Sequence, residues 1–341
     1  MTFCQNYKLI LHNSKKKSNF AAFMQKRDII YIIIICLLLI TLAVLDILVG
    51  QINLDFTNPL HRQVLISLRI PKTITAIIAG IGLSLSGLMM QTLFRNPLAG
   101  PYILGVSSGA TLGVAIILMV GTFFGIAHPS GWATIIAAII GSTTILLLVL
   151  SISHRIKHTV SLLIVGMMIG SMAGAIVNII QNYANPDALK LFIVWTFGSL
   201  TTVGWEQLQI LAPIFVVGCA ISLCLIKPLN GMLLGDNYAQ SLGVNVNRTR
   251  LLIILSTGLL AGGITAFTGP IAFIGIAVPH IARGLFRTST HNIIMPATML
   301  IGATLLLLCD LLTNLTTYTL PISTISALFG APIVIWIILK K

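Results

Sequence analysis

Few residues in this 341-residue chain are equipped for chemistry, and their spacing says as much as their number. Seven carboxylates are spread along it, and they form no paired constellation for general acid–base work. No Gly-x-Ser-x-Gly elbow presents a nucleophile. No Gly-Lys dipeptide occurs, so a phosphate-cradling P-loop is excluded. The five cysteines (Cys4, Cys36, Cys219, Cys224 and Cys309) form no CxxC pair, and four of them sit in apolar runs where a thiol behaves as a small hydrophobe. No His/Cys/carboxylate cluster has metal-ligand spacing, so neither a metal nor a cofactor is expected. Two ionisable groups stand out. Asp310 lies deep in an apolar stretch, where a carboxylate is a functional hypothesis by default. It either accepts hydrogen bonds from a neighbouring helix or serves proton or sodium coupling. His280 follows Pro279 and precedes Arg283, and a structural hydrogen bond is favoured for it over a ligand role.

The elements that must hold these groups are membrane helices. Hydrophobic residues make up 57% of the chain and charged residues 8%, against roughly 25% charged in an average soluble domain. An ordinary cytosolic enzyme, a disordered tail protein and a nucleic-acid-binding domain are excluded by that balance. The apolar runs are continuous rather than alternating, which disfavours a β-barrel. At about 20 residues per span they read as ten helices, at 29–49, 66–90, 102–121, 131–152, 160–181, 207–226, 249–268, 271–286, 293–314 and 323–339. The eighth is short and interrupted by Pro279, so a tilted or partly buried helix is expected there.

The net charge of +13 follows from topology rather than from a nucleic-acid partner. With both termini inside, sixteen of the 20 basic residues fall on the inner side. The outer side receives Arg62, Arg69, Lys72 and Lys190. Residues 1–28 read as a polar, basic cytoplasmic extension without a cleavable leader, and 29–341 as one transmembrane domain. The outer segment 182–206 has an apolar middle, Leu189 to Phe197, suited to a short interfacial helix. The inner segment 227–248 is the longest cytoplasmic loop. Small residues recur at helical spacing at Gly166, Gly170 and Gly174, at Gly109 and Gly113, and at Gly258 and Gly262. Such faces serve close helix packing, or else a smooth pathway or subunit interface.

Four stretches now read together: Leu-Arg-Ile-Pro-Lys at 68–72, Gln-Thr-Leu-Phe-Arg-Asn-Pro-Leu-Ala-Gly-Pro-Tyr-Ile-Leu-Gly-Val-Ser-Ser-Gly at 91–109, Gly-Pro-Ile-Ala-Phe-Ile-Gly-Ile-Ala-Val-Pro-His-Ile-Ala-Arg at 269–283, and Gly-Ala-Pro at 330–332. On ten spans, this resembles the FecCD family of ABC-importer permeases, which move iron-siderophores, haem and vitamin B12. The resemblance covers roughly residues 35–340. It implies an all-α polytopic membrane protein with the ten-helix permease fold of type II ABC importers, working by alternating access. The implied partners are cytoplasmic ABC ATPase subunits, an extracytoplasmic substrate-binding protein, and a second permease subunit, identical or homologous. The motifs do not choose among an iron chelate, haem and cobalamin as cargo.

The resemblance also assigns roles. The coupling helices fall at 229–246, where Met232, Leu233, Leu234, Gly235, Ala239, Leu242 and Gly243 would meet the ATPase. Arg69 and Lys72 match basic residues that meet acidic groups on the binding protein, with interfacial snorkelling as the other reading. Lys72 departs from the usual Arg, and Asn314 stands where many members carry a further Arg. The cytoplasmic gate would use Asn96, Pro97 and Leu98 together with Thr159 and Val160, and the pathway wall would run along the fifth span past Gly166 and Gly170. The alternative class is a proton- or sodium-coupled secondary transporter, which calls for more membrane-depth carboxylates than Asp310. A membrane enzyme would need a nucleophile and base that the chain does not present.

Overall fold

A computed structural model describes residues 26–50, 59–124, 129–153, 155–156, 159–314 and 320–339. The expected N-terminal extension lies outside the described residues up to position 25, as do Lys157, Lys340 and Lys341. In chain order the helices are α1 (Lys26–Leu48), α2 (Pro59–Phe94), α3 (Val106–Val120), α4 (Gly131–Ser153), α5 (Thr159–Asn182), α6 (Pro186–Thr196), α7 (Trp205–Cys224), α8 (Ile226–Met232), α9 (Asp236–Ser241), α10 (Val246–Thr268), α11 (Ile274–Phe286), α12 (His291–Asn314) and α13 (Ile322–Leu339). Seven of them (α1, α2, α4, α5, α7, α10 and α12) are long and apolar enough to cross a membrane, and α3, α11 and α13 are shorter apolar helices. These ten match the ten expected spans, and α6 is the short helix expected between the fifth and sixth.

The most apolar helix is the least buried. α1 has a mean hydropathy of 3.0 over its best window, of which 17% is buried, whereas α2 has 1.8 and 83%. α10 and α12 join α2 inside, at 72% and 67% buried, while α4, α5 and α7 are each 28% buried. A bilayer reverses the rule for water-soluble proteins. Leucine gains nothing by leaving lipid for protein, so small and weakly polar residues take the helix contacts. Inside α2 the hydroxyls are satisfied by the helix itself or its neighbours. Thr75 Oγ1 donates to the Pro71 carbonyl at 2.7 Å, and Ser84 Oγ lies 3.1 Å from the Thr298 carbonyl on α12.

α11 has 13 residues, about 20 Å of helix, which does not span a hydrocarbon layer of about 30 Å. The chain reaches its start through irregular backbone at 269–273, after α10 ends at Thr268. Non-helical backbone at such depth has to be shielded by protein. Gly269 is buried, and the segment 197–204 folds against it, with Ser199 N donating to the Thr268 carbonyl at 2.7 Å and Thr202 Oγ1 to the Phe267 carbonyl at 3.2 Å.

Helix contacts of this kind tolerate no extra methyl. A Cβ at Gly87 of α2 would overlap the Gly275 carbonyl of α11, whereas a Cβ at Gly174 of α5 meets nothing within 4 Å. Gly87→Val is therefore expected to destabilise the fold by about 1–3 kcal/mol, as overpacked cores do. Gly174→Val should be near neutral. Thermal unfolding of both variants in one detergent checks the contrast.

Candidate functional site

α7 ends at Cys224, and the chain then builds a hairpin of the two short helices α8 and α9 outside the bundle. Gly235 joins them at φ 117, a conformation closed to side chains with a Cβ. Leu229, Met232 and Ala239 are buried within the hairpin and its seat. Asn230 pins α8 to the start of α12. Its Oδ1 accepts from His291 N at 2.7 Å, and its Nδ2 donates to Asn292 Oδ1 at 2.7 Å. The outer surface is apolar: Leu234 is 68% exposed and Leu242 59%, with Leu233 and Tyr238 beside them. The seven loop residues thus divide by position. Gly235 and Gly243 shape the turns, Met232 and Ala239 pack inward, and Leu233, Leu234 and Leu242 project. Met232 is not the exposed anchor that its sequence position implied, because the hairpin closes over it.

Next to this hairpin lies the expected gate loop. α2 stops at Phe94 because Arg95 turns left-handed at φ 48 and Pro97 follows two residues later. Asn96 Oδ1 accepts from Leu98 N at 2.9 Å, and Leu98 is 40% exposed. His280 Nε2 lies 2.7 Å from the Pro97 carbonyl. A carbonyl only accepts, so Nε2 carries the proton in this bond. Arg283, one turn further along α11, donates to Gln91 Oε1 at 2.6 Å, and Gln91 Nε2 donates to the Ile276 carbonyl at 3.1 Å. α11 therefore holds both the end of α2 and the loop that follows.

The second gate position heads α5. Thr159 Oγ1 accepts from Arg250 Nη2 at 3.1 Å, and the same guanidinium donates to the Ile156 carbonyl at 3.0 Å. Val160 is 67% exposed. Between the two gate positions stands Asp236, the first residue of α9. Its Oδ1 accepts from Arg95 Nη2 at 2.6 Å, and its Oδ2 lies 3.9 Å from Arg250 Nη2. Sequence reasoning missed Asp236, Arg95 and Arg250. The available signal was the scarcity of carboxylates, which makes each one worth tracing to a partner.

Gly166 and Gly170 face the chain's own interior. A Cβ at Gly166 would come within 2.5 Å of the Ile103 carbonyl, and one at Gly170 within 3.3 Å of Ser108 Oγ. They let α5 lie against the segment 103–108, which is close helix packing.

On the face opposite the hairpin, the structure supplies the partner that Asp310 lacked in sequence. Lys72 Nζ lies 2.9 Å from Asp310 Oδ2 and 3.6 Å from Asp46 Oδ1. Thr73 Oγ1 donates to Asp46 Oδ2 at 2.6 Å, and Asn314 Nδ2 donates to Asp46 Oδ1 at 3.4 Å. Asp46, Lys72 and Asp310 are all buried, which ties α1 and α12 to α2. Asp310 sits four residues from the end of α12, about 6 Å along its axis, rather than at mid-membrane. Arg69 Nη1 donates to the Ile47 and Leu48 carbonyls at 3.0 and 2.8 Å, closing the end of α1. The two basic residues assigned to an external partner thus each hold α1 in place.

This architecture and these motif positions have counterparts. Residues 29–340 match the FecCD transport family. The vitamin B12 import system permease protein BtuC of Salmonella arizonae is 32% identical over 330 residues, covering 94% of this chain and 98% of that protein, and BtuC of Salmonella typhi matches to the same extent. A solved structure described as an inward-facing conformation of a metal-chelate type ABC transporter superposes with a TM-score of 0.81 at 32% identity, covering 90% of this chain and 98% of that one. PsaBC from Streptococcus pneumoniae in complex with Fab reaches a TM-score of 0.51 at 16% identity, covering 79% of this chain and 90% of that one, a likeness of fold alone.

Removing the ammonium from the buried cluster leaves two carboxylates facing each other without a cation. Lys72→Met is expected to destabilise the protein by about 3–5 kcal/mol, as breaking a buried ion pair does. Thermal unfolding in detergent measures it. An unchanged transition would return Lys72 to the role of a free surface charge.

Proposed function

We propose that this chain, which belongs to the FecCD transport family, is the membrane subunit of an ATP-driven importer for a metal chelate or a corrinoid such as cobalamin. Family membership makes it an ABC-importer permease, a multi-pass transporter chain rather than a catalyst. The energy then comes from a separate ATPase. The hairpin with the residue that follows it, 226–242, is the surface offered to it, and the observation that carries this reading is its exposed apolar ledge of Leu233, Leu234, Tyr238 and Leu242. These residues lie beyond the ends of α7 and α10, where lipid does not account for their exposure. A leucine ledge on a short helix is suited to a groove in a partner.

Orientation follows from the same reading. The hairpin and the gate loop at 95–98 face the cytoplasm with the basic residues around them, in keeping with the positive-inside rule. The face that carries the Asp46–Lys72–Asp310 cluster is extracytoplasmic and receives the binding protein. There Arg69 and Lys72 act by fixing the ends of α1, α2 and α12 against one another. The cargo name on the B12 relatives and the metal-chelate description of the structural neighbour both point to a bulky chelate. The rim of α5, with Met168, Met172 and Ile179 exposed, is where a second permease subunit would complete the pathway. An apolar wall of that kind offers no hydrogen bonds to hold a polar cargo, so it releases cargo rather than retaining it.

The test separates docking from folding. In proteoliposomes holding the chain, its ATPase and its binding protein, uptake should require all three components and ATP. Uptake without the ATPase would favour a secondary transporter instead. Leu234→Asp and Leu242→Asp should each abolish co-purification of the ATPase while leaving the permease's own unfolding temperature unchanged, since both side chains stand in water.

A further inference from the structure

We propose that Asp236 is the relay through which movement of the α8–α9 hairpin reaches both halves of the cytoplasmic gate. The inference rests on the reading that this hairpin docks an ATPase, and it deepens that reading by naming the connection. A docked hairpin moves usefully only if something ties it to the gate. Its apolar contacts with the bundle are nondirectional, and Leu234 and Leu242 are exposed rather than packed against the gate.

Asp236 supplies a directional tie. It stands on the first turn of α9, immediately after the Gly235 hinge. One carboxylate oxygen holds Arg95, the residue covalently joined to Asn96-Pro97-Leu98. The other faces Arg250, which is buried and holds Thr159 and the Ile156 carbonyl at the head of α5. One side chain therefore holds Arg95 beside the first gate element and faces Arg250 of α10, which in turn grips the head of α5. Among the described residues the other carboxylates are engaged or placed elsewhere. Asp28 pairs with Arg27, Asp46 and Asp310 share Lys72 at the opposite face, and Asp187 and Glu206 open α6 and α7.

The two grips are unequal, at 2.6 Å to Arg95 and 3.9 Å to Arg250. Attraction between charges rises as they approach, so a displacement of α9 that lengthens the first contact and shortens the second shifts the carboxylate's hold from one gate element to the other. That exchange couples a hairpin movement to opposite changes at 95–98 and at 159–160. The Arg95 side is half-exposed and the Arg250 side buried, so water weakens the first contact more readily than the second.

A relay differs from a docking residue or a packing residue in what its loss removes. ATP hydrolysis and cargo uptake are measured on one proteoliposome preparation and expressed as cargo moved per ATP. Asp236→Asn should leave ATPase co-purification and the hydrolysis rate within about twofold, while cargo per ATP falls roughly fivefold, the scale of one half-exposed ion pair. Asp236→Glu, which keeps the charge, should recover most of the ratio. Arg95→Gln should lower it as well, and the Asp236→Asn/Arg95→Gln double variant should be no worse than the more impaired single one, because the two act in one link. An unchanged ratio in Asp236→Asn overturns the proposal. So does a parallel loss of hydrolysis and uptake, which would make Asp236 a docking or folding residue. If the unaltered chain shows no ATP-dependent uptake with its partners, the importer reading itself fails, and the relay with it.

Discussion

Polar groups in hydrocarbon have to be satisfied by the protein itself, and this constraint orders the whole molecule. It explains why α2, the least apolar of the long helices, is the most buried, and why α1, the most apolar, lies at the rim. The hydroxyls of Thr75, Ser84, Ser86 and Thr92 on α2 all reach backbone carbonyls. Where α10 ends before the irregular stretch 269–273, the segment 197–204 takes up the carbonyls of Phe267 and Thr268. Where charge enters the bundle at Asp46 and Asp310, Lys72 meets both, the hydroxyl of Thr73 and the amide of Asn314 donate to Asp46, and the hydroxyl of Thr313 lies against Asp310.

The sequence made the spans legible because a bilayer demands a continuous apolar run of known length, a condition independent of tertiary contacts. The brevity of α11 was legible for the same reason, since the eighth apolar run is short and Pro279 interrupts it. Partners were not legible. Lys72 and Asp310 belong to helices far apart in sequence, and no local pattern says that α2 and α12 lie side by side. A basic residue near a span end looks the same whether it faces water or a buried carboxylate. That is why Lys72 read as a docking charge, and why Asp46, three residues from the end of the span read at 29–49, went unremarked. Gly166 and Gly170 show the same limit. A row of glycines fixes how closely something approaches but not what, and here it is the segment 103–108.

The hairpin residues mark a further boundary. Their spacing was enough to locate two short helices broken by glycine, but not to sort them into inward and outward faces. Six- and seven-residue helices are too short for a periodic stripe to be read with confidence from sequence alone. Burial of Met232 and Ala239 against exposure of Leu234 and Leu242 is decided by how the hairpin folds back at Gly235.

The two ends of the bundle are held by interactions of very different strength, which decides where motion is cheap. At the Asp46–Lys72–Asp310 end the ions are buried, and separating them exposes charge to a medium that cannot solvate it, at a cost of about 3–5 kcal/mol. At the hairpin end the Arg95–Asp236 pair is half in water, and an exposed pair of this kind contributes about 1 kcal/mol or less. Breaking and remaking the second therefore costs only a few times thermal energy, while the first resists. The hairpin end also keeps the hydrogen bonds of Asn230, His280, Arg283 and Arg250, so the Arg95–Asp236 pair is the contact there that yields first. On the importer reading proposed above, a rearrangement that starts at the Arg95–Asp236 contact is the less costly one, and the ends of α1, α2 and α12 at the opposite face resist it.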